Sequence, residues 1–133
     1  GLVYPEHDQK PKMAHNSSGK FESVFLDVTV PDTKSVMLGT LTGSRLGIWV
    51  AHGEGQFTFP YNQDQYQLGM YYAHAAYPGN PNGSAWNAAA IVSDNGRHLA
   101  MMPHLERSIF PWQCGYYPHD KHTHECTPWI EAF

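Results

Sequence analysis

The sequence has few cysteines, few charged residues and no long apolar run. Its 133 residues include only two cysteines, Cys114 and Cys126, which is too few for the disulfide scaffold of a small secreted domain. Charged residues make up 15% of the chain and the formal net charge is −4, so the basic face of a duplex nucleic-acid binder is missing. No apolar stretch approaches the roughly 20 residues of a membrane-spanning helix. We therefore expect a cytoplasmic protein with neither nucleic-acid nor membrane partners.

Strand patterns dominate what is present. An apolar content of 41% can supply the core of one domain. Residues 21–30 alternate between apolar and polar types, as a half-buried strand does. Residues 45–52 are almost continuously apolar, which favours a central strand. We predict a further strand over 35–38 and a hairpin over 86–104 that turns at Asp94-Asn95-Gly96. The tyrosine-rich stretch 65–77 suits a helix face as well as a strand, and its tyrosine content favours a strand.

The polar segments predict loops and short helices. Residues 1–20 show no strand or helix periodicity and predict a loop. A short helix is expected from Glu106 to about Trp112. Thr127 followed by Pro128 has the pattern of a helix start, so we expect a final helix that begins there. Both ends of the chain look truncated.

The first candidate for chemistry is the pair His104 and Glu106, two residues apart after an apolar run. Residues at this spacing along a strand point to the same side. A carboxylate bound to one imidazole nitrogen fixes the tautomer and leaves the other nitrogen to accept a proton from a nucleophile. The alternative interpretation is a strand that simply ends in polar surface residues.

The second candidate is His52-Gly53-Glu54-Gly55, at the end of the predicted central strand. Glycines at a strand end allow backbone N–H groups to approach a ligand, and such a site suits a carboxylate. The alternative is an ordinary turn.

The third candidate is the histidine-rich stretch from Cys114 to Cys126, which contains two cysteines and His119, His122 and His124. Two thiolates with two imidazoles would satisfy tetrahedral zinc. The spacing matches no standard zinc finger, so we favour a polar loop and assign no metal ligand. A histidine-rich metal-binding or docking module stays open as the alternative function.

Several strings occur together in a recognisable order. "NSSGKFES", "GIWVAHGEGQF", "YPGNPNGS" and "SDNGRHLAMMPHLER" are followed by a late "PW". In this combination the chain resembles, from end to end, the C-terminal glutamine amidotransferase region of the phosphoribosylformylglycinamidine synthase family.

The resemblance implies a fold and a site. The fold would be α/β and flavodoxin-like, of which residues 1–133 form the strand-rich C-terminal part of a class I (triad) amidotransferase domain. The family's triad histidine falls on His104 and its glutamate on Glu106, although Leu105 stands where the family often has proline. The backbone from His52 to Gly55, including Gly53 and Glu54, would lie along the glutamine pocket.

The resemblance also implies what this chain lacks. The family's nucleophilic cysteine lies on a segment upstream of the stretch matched here, so we expect a partial domain that is inactive alone. ATP and magnesium would act in a synthetase domain of the parent enzyme, with no cofactor in this chain. The expected partners are glutamine and the rest of the synthase. Strands removed from a parallel sheet would leave an unpaired edge, so we also expect self-association.

Overall fold

The computed structural model describes residues 2–133, which form short strands and 3₁₀ helices around two apolar clusters. The strands are β1 (Lys12–Ala14), β2 (Glu22–Thr29), β3 (Arg45–His52), β4 (Gln56–Thr58), β5 (Gln67–Tyr72), β6 (Ala88–Val92) and β7 (Leu99–Met101). The 3₁₀ helices are Gly39–Leu41, Gln63–Gln65, Ala85–Asn87, Leu105–Arg107, Pro111–Gln113, His119–Lys121 and Pro128–Ala132. No helix among residues 2–133 is both long and apolar enough to cross a membrane.

Five strands form one sheet in the order β3-β2-β5-β6-β7, and β1 pairs with β4 in a separate two-stranded sheet. Every strand pairing among residues 2–133 is antiparallel. The pairing of β2 with β3 is the longest and runs from Glu22 opposite His52 to Thr29 opposite Arg45. The parallel sheet on which the expected edge depends is therefore not formed by this part of the chain.

Five predicted strands are confirmed, namely β2, β3, β5 and the two strands of the β6–β7 hairpin. The hairpin turn needs Gly96, because its φ of +74° lies in the left-handed region that favours glycine. A side chain at Gly96 would also overlap the backbone of Lys34.

The predicted central position of β3 is wrong, because β3 lies at one end of the strand order. Its apolar run still makes physical sense. Ile48 and Val50 are fully buried in the core, and the outer edge of the strand is covered at one point by a bridge between Trp49 and His104.

Three other predictions are wrong. Residues 35–38 form a turn instead of a strand: the Ser35 hydroxyl accepts from the Leu38 N–H at 3.3 Å, which directs both residues inward. The single helix predicted after Glu106 is instead two 3₁₀ turns, Leu105–Arg107 and Pro111–Gln113. Pro111 has no N–H to continue a helix. The predicted N-terminal loop likewise contains a strand, β1.

The final helix begins at Thr127 and Pro128, as predicted, and it packs onto the sheet. The Thr127 hydroxyl caps the last helix by accepting from the Trp129 N–H at 3.3 Å. Trp129 is 1% exposed and belongs to the main apolar cluster. Its indole N–H donates to the Gly47 carbonyl at 2.8 Å, so the C-terminal turn is attached to β3.

Candidate functional site

His104 is held at the point where the chain leaves β7 and passes the edge of β3. Its backbone N–H donates to the Trp49 carbonyl at 2.8 Å. Its own carbonyl accepts from the Ser108 hydroxyl at 3.4 Å. The 3₁₀ turn that follows is anchored by Leu105, which is buried in the core. The backbone of this histidine is thus fixed on both sides.

The predicted pair of His104 and Glu106 is in direct contact. The Nδ1 of His104 lies 2.7 Å from the Oε1 of Glu106. Because an ionised carboxylate only accepts hydrogen bonds, Nδ1 is the protonated nitrogen of the neutral ring and Nε2 has the free lone pair. The histidine side chain is 26% exposed and the glutamate 60%. Arg107 Nε lies 3.7 Å from the same carboxylate oxygen.

His104 and Glu106 line a cleft of about 480 Å³, and His52 lies in the same cleft. The other lining residues are apolar, apart from backbone groups: Met37, Ala51, Met101, Met102, Pro103, Leu105 and Phe133. A mostly apolar cleft with a few polar side chains is the usual form of a small-molecule site.

A larger cleft of about 1050 Å³ lies elsewhere, beside Tyr66 and Trp86, and contains none of the predicted site residues. Size alone does not decide between the two clefts. The smaller one contains the base and carboxylate in contact, so we take it as the candidate site.

The four residues of the His52–Gly55 motif lie in different surroundings. His52 is 6% exposed and lines the cleft. Glu54 is mostly exposed and lies 3.4 Å from the Nδ1 of His15. A side chain on Gly53 would meet nothing within 4 Å, whereas one on Gly55 would overlap the imidazole of His52. Of these four, the structure brings only His52 together with His104.

The surroundings of His52 favour the neutral form of its ring. Burial lowers its pKa below the ordinary value of 6.5, and the electrostatic interaction with His104 lowers it further. A hydrogen bond from Asn82, at 2.9 Å from Nε2, acts in the opposite direction.

The loop Asn80–Ser84 supports this site and was not predicted as part of it. The side-chain oxygen Oδ1 of Asn80 accepts hydrogen bonds from the backbone N–H groups of Gly83 and Ser84, both at 3.1 Å. The Ser84 hydroxyl donates to the Gly55 carbonyl at 3.2 Å and accepts from the Phe57 N–H at 3.0 Å. By composition the string "NPNGS" predicts no more than a turn, and the family resemblance used it without assigning it to the site.

Neither cysteine lines the cleft. Cys114 lies in a separate cavity of about 240 Å³ beside Phe25 and Trp129. Burial raises the pKa of its thiol, which disfavours the nucleophilic thiolate. The thiol group nearest in sequence to His104 therefore lies outside the cleft, and its burial disfavours ionisation.

The histidine-rich stretch does not converge on a point. Within residues 2–133, no group of three or more His, Cys, Asp or Glu side chains is arranged to hold a metal ion. His122 bonds to the carbonyl of His119, and His124 lies 3.4 Å from the Tyr117 hydroxyl. These contacts suit a polar surface loop.

Comparison with known families identifies the class of this domain. Residues 1–133 match the model of the CobB/CobQ-like glutamine amidotransferase domain. The chain therefore belongs to this glutamine amidotransferase family, as the resemblance implied.

The curated relatives are more specific. The chain is 41% identical over 143 residues to the probable phosphoribosylformylglycinamidine synthase, chloroplastic/mitochondrial, of Arabidopsis thaliana, which covers 93% of this chain and 10% of that protein. It is 39% identical over 133 residues to the phosphoribosylformylglycinamidine synthase of Homo sapiens, which covers 91% of this chain and 10% of that protein. The chain spans about a tenth of the length of these curated relatives.

A solved structure has a similar fold. The structure of PurLQS from Thermotoga maritima aligns with a TM-score of 0.62 and 26% identity, over 79% of this chain and 46% of that chain. With the family match, this likeness confirms the predicted α/β amidotransferase fold, of which residues 2–133 form a strand-rich part.

Proposed function

We propose that this chain is part of the glutaminase domain of a phosphoribosylformylglycinamidine synthase, with His104 as general base and Glu106 as the carboxylate that orients it. The observation that supports this best is the 2.7 Å contact between His104 Nδ1 and Glu106 Oε1 in a cleft. The names of the curated relatives supply the parent reaction, which belongs to purine biosynthesis.

The chemistry follows from the ring's protonation. With the proton on Nδ1 held by Glu106, Nε2 takes the proton of a cysteine thiol, and the thiolate attacks the side-chain amide carbon of glutamine. The imidazolium then returns the proton to the departing nitrogen, which leaves as ammonia and a thioester remains. Water hydrolyses the thioester to glutamate with the same base.

The cysteine in this proposal comes from a segment of the parent protein outside this chain. The support is chemical: the cleft has the base and its carboxylate, but Cys114 and Cys126 both lie elsewhere. On this proposal residues 1–133 are a partial domain, and the chain alone does not hydrolyse glutamine.

The synthetase half of the reaction is assigned to other parts of the parent protein. There, ammonia would convert formylglycinamide ribonucleotide to the amidine with ATP and magnesium, in the cytoplasm. We place no step of that half on this chain. The rest of the synthase is the expected protein partner, and the self-association predicted for this chain by itself stays a prediction.

The test is ammonia release from glutamine by the intact protein that contains this chain. His104→Ala is expected to reduce the rate by about 10⁴-fold or more, since loss of a triad base typically costs that much. The control is His98→Ala, which removes an exposed histidine outside the cleft and should leave the rate unchanged. Equal rates in the natural protein and His104→Ala would refute the proposal.

A further inference from the structure

A second cavity lies where the C-terminal stretch 114–129 passes the beginning of β3. Its volume is about 240 Å³, and it shares no lining residue with the cleft that contains His104. None of the proposed glutaminase chemistry involves this cavity. Its lining combines aromatic side chains with basic ones, so we asked which kind of molecule it fits.

The apolar wall of the cavity is built around Phe25. A Cβ added at Gly47 or at Gly115 would overlap the Phe25 side chain, so the ring occupies space that these two glycines leave open. Trp129 lines the same cavity, and its position is fixed because its indole N–H donates to the Gly47 carbonyl at 2.8 Å. Aromatic walls of this kind suit a flat ligand, which can stack on them or meet them edge to face.

Most polar groups of the lining already have partners. The carboxylate of Asp27 accepts from Arg45 Nε and Nη2, at 3.0 and 2.8 Å. The Thr127 hydroxyl donates to a backbone carbonyl at 2.6 Å. The Cys114 thiol lies 3.6 Å from another carbonyl, and burial raises its pKa, so it adds no negative charge at neutral pH. None of these groups calls for a ligand or repels an anion.

Lys121 and His124 are the basic side chains of the lining that have no acidic partner. No carboxylate of residues 2–133 lies within 4.0 Å of the Lys121 ammonium or the His124 ring nitrogens. Their acidic neighbours in sequence, Asp120 and Glu125, do not line the cavity. The chain as a whole has a formal net charge of −4. An unpaired cation beside a cavity is complementary to an anionic ligand.

The volume limits the size of that ligand. An apolar cavity of about 150 Å³ takes up benzene, so this cavity of about 240 Å³ has room for one six-membered ring and a small anionic group. A carboxylate fits that remaining space better than the bulkier phosphate. Apolar walls with a few polar groups that fix the orientation are the usual form of a small-molecule site.

We propose that this cavity binds a small aromatic carboxylate, with its ring against Phe25 and its carboxylate at Lys121. The site is separate from the candidate glutaminase site, and the proposal does not depend on the function of that site.

The charge requirement is tested with 4-fluorobenzoate and 4-fluorobenzamide, which have nearly the same shape but differ in charge. Each is titrated with the intact protein at low ionic strength and followed by the ¹⁹F NMR signal of the ligand. We expect the benzoate to have a Kd at least about threefold lower than that of the benzamide. Lys121→Glu should raise the Kd of the benzoate by about tenfold, because it replaces attraction by repulsion, and should leave the benzamide within about twofold.

Lys12→Glu is the matched control. It makes the same change at an exposed position of β1 outside the cavity and should alter neither Kd. His104→Ala should also alter neither Kd, because the two sites share no residue. Equal Kd values for the two ligands, no binding of either, or a preference for the benzoate that persists in Lys121→Glu would each overturn the proposal.

The aromatic contact is tested by Phe25→Leu, which removes the ring without a change in charge. We expect both ligands to bind about threefold or more weakly, as the loss of an aromatic pair costs. Unchanged Kd values for both ligands in this variant would show that the ring does not lie against Phe25, and would overturn the assignment of the cavity.

Discussion

The backbone N–H of His104 donates to the carbonyl of Trp49 at 2.8 Å. This one bond joins the exit of β7 to the outer edge of β3, two segments that lie far apart in the sequence. It places the base beside the strand that ends in His52, and so brings both histidines to one cleft. The indole of Trp49 strengthens the arrangement, because its N–H donates to the Gln113 carbonyl at 2.7 Å.

The two glycines of the His52–Gly55 motif should respond differently to alanine. In Gly55→Ala the new methyl group would overlap the His52 ring and come within 2.8 Å of Asn82 Nδ2. We expect a loss of about 1–3 kcal/mol in the free energy of unfolding, as overpacked sites show. Gly53→Ala places its methyl group in open space and serves as the control. Urea unfolding of both variants measures the difference, and equal stabilities would contradict the packing described around His52.

Trp129 should contribute far more stability than Trp112. Trp129 is 1% exposed and bonds to Gly47, whereas Trp112 is 80% exposed. Trp129→Ala is expected to cost about 3–5 kcal/mol, and Trp112→Ala to stay within about 0.5 kcal/mol of the natural protein. Thermal or urea unfolding compares them. A small effect at Trp129 would show that the last turn does not pack on β3 in solution.

The lowered pKa of His52 predicts a loss of stability in mild acid. The folded protein holds this ring neutral below its ordinary pKa of 6.5, while the unfolded chain takes up a proton there. The contribution of His52 is therefore complete above pH 6.5 and declines as the pH falls from 6.5 toward the lower folded value. Unfolding free energies at about pH 8 and about pH 5.5 should differ less in His52→Asn than in the natural protein.

His98→Asn is the control for that comparison, because His98 is exposed and should leave the pH dependence as it is. Identical pH dependence in His52→Asn and the natural protein would mean that His52 titrates freely and that burial does not lower its pKa.

Local sequence patterns predicted most of the strands correctly, but they did not predict the position of a strand in the sheet. The alternation in β2 and the Asp94-Asn95-Gly96 turn are properties of a few adjacent residues, and both are confirmed. The edge position of β3 was missed because continuous apolar character was taken to mean a strand covered on both edges. The apolar residues of β3 are instead buried through a face of the sheet, where Ile48 and Val50 lie in the core. The stretch 35–38 was missed because Ser35 bonds back to Leu38, an interaction that apolar alternation does not reveal.

In the candidate site, too, local contacts could be predicted from the sequence and long-range contacts could not. The spacing of His104 and Glu106 is local, and the contact that it predicted is present. The neighbourhood of His52 depends on Asn16 and Asn82, which lie 36 and 30 residues away in sequence. The local pattern of the Asn-rich loop predicts a turn and does not show that Asn82 will contact His52. The catalytic roles of His104 and Glu106 stay predictions until they are measured.

The central claim is that Glu106 acts through His104, and a double-mutant cycle tests it most directly. Ammonia release from glutamine is measured for the intact protein, His104→Ala, Glu106→Ala and the double variant. We expect each single change to reduce kcat/KM strongly, and Glu106→Ala to cost almost nothing further once His104 is alanine, because residues that act as one unit are not additive. If the two losses simply add, the carboxylate does not work through this histidine, and the assignment of the pair as base and orienting group is contradicted.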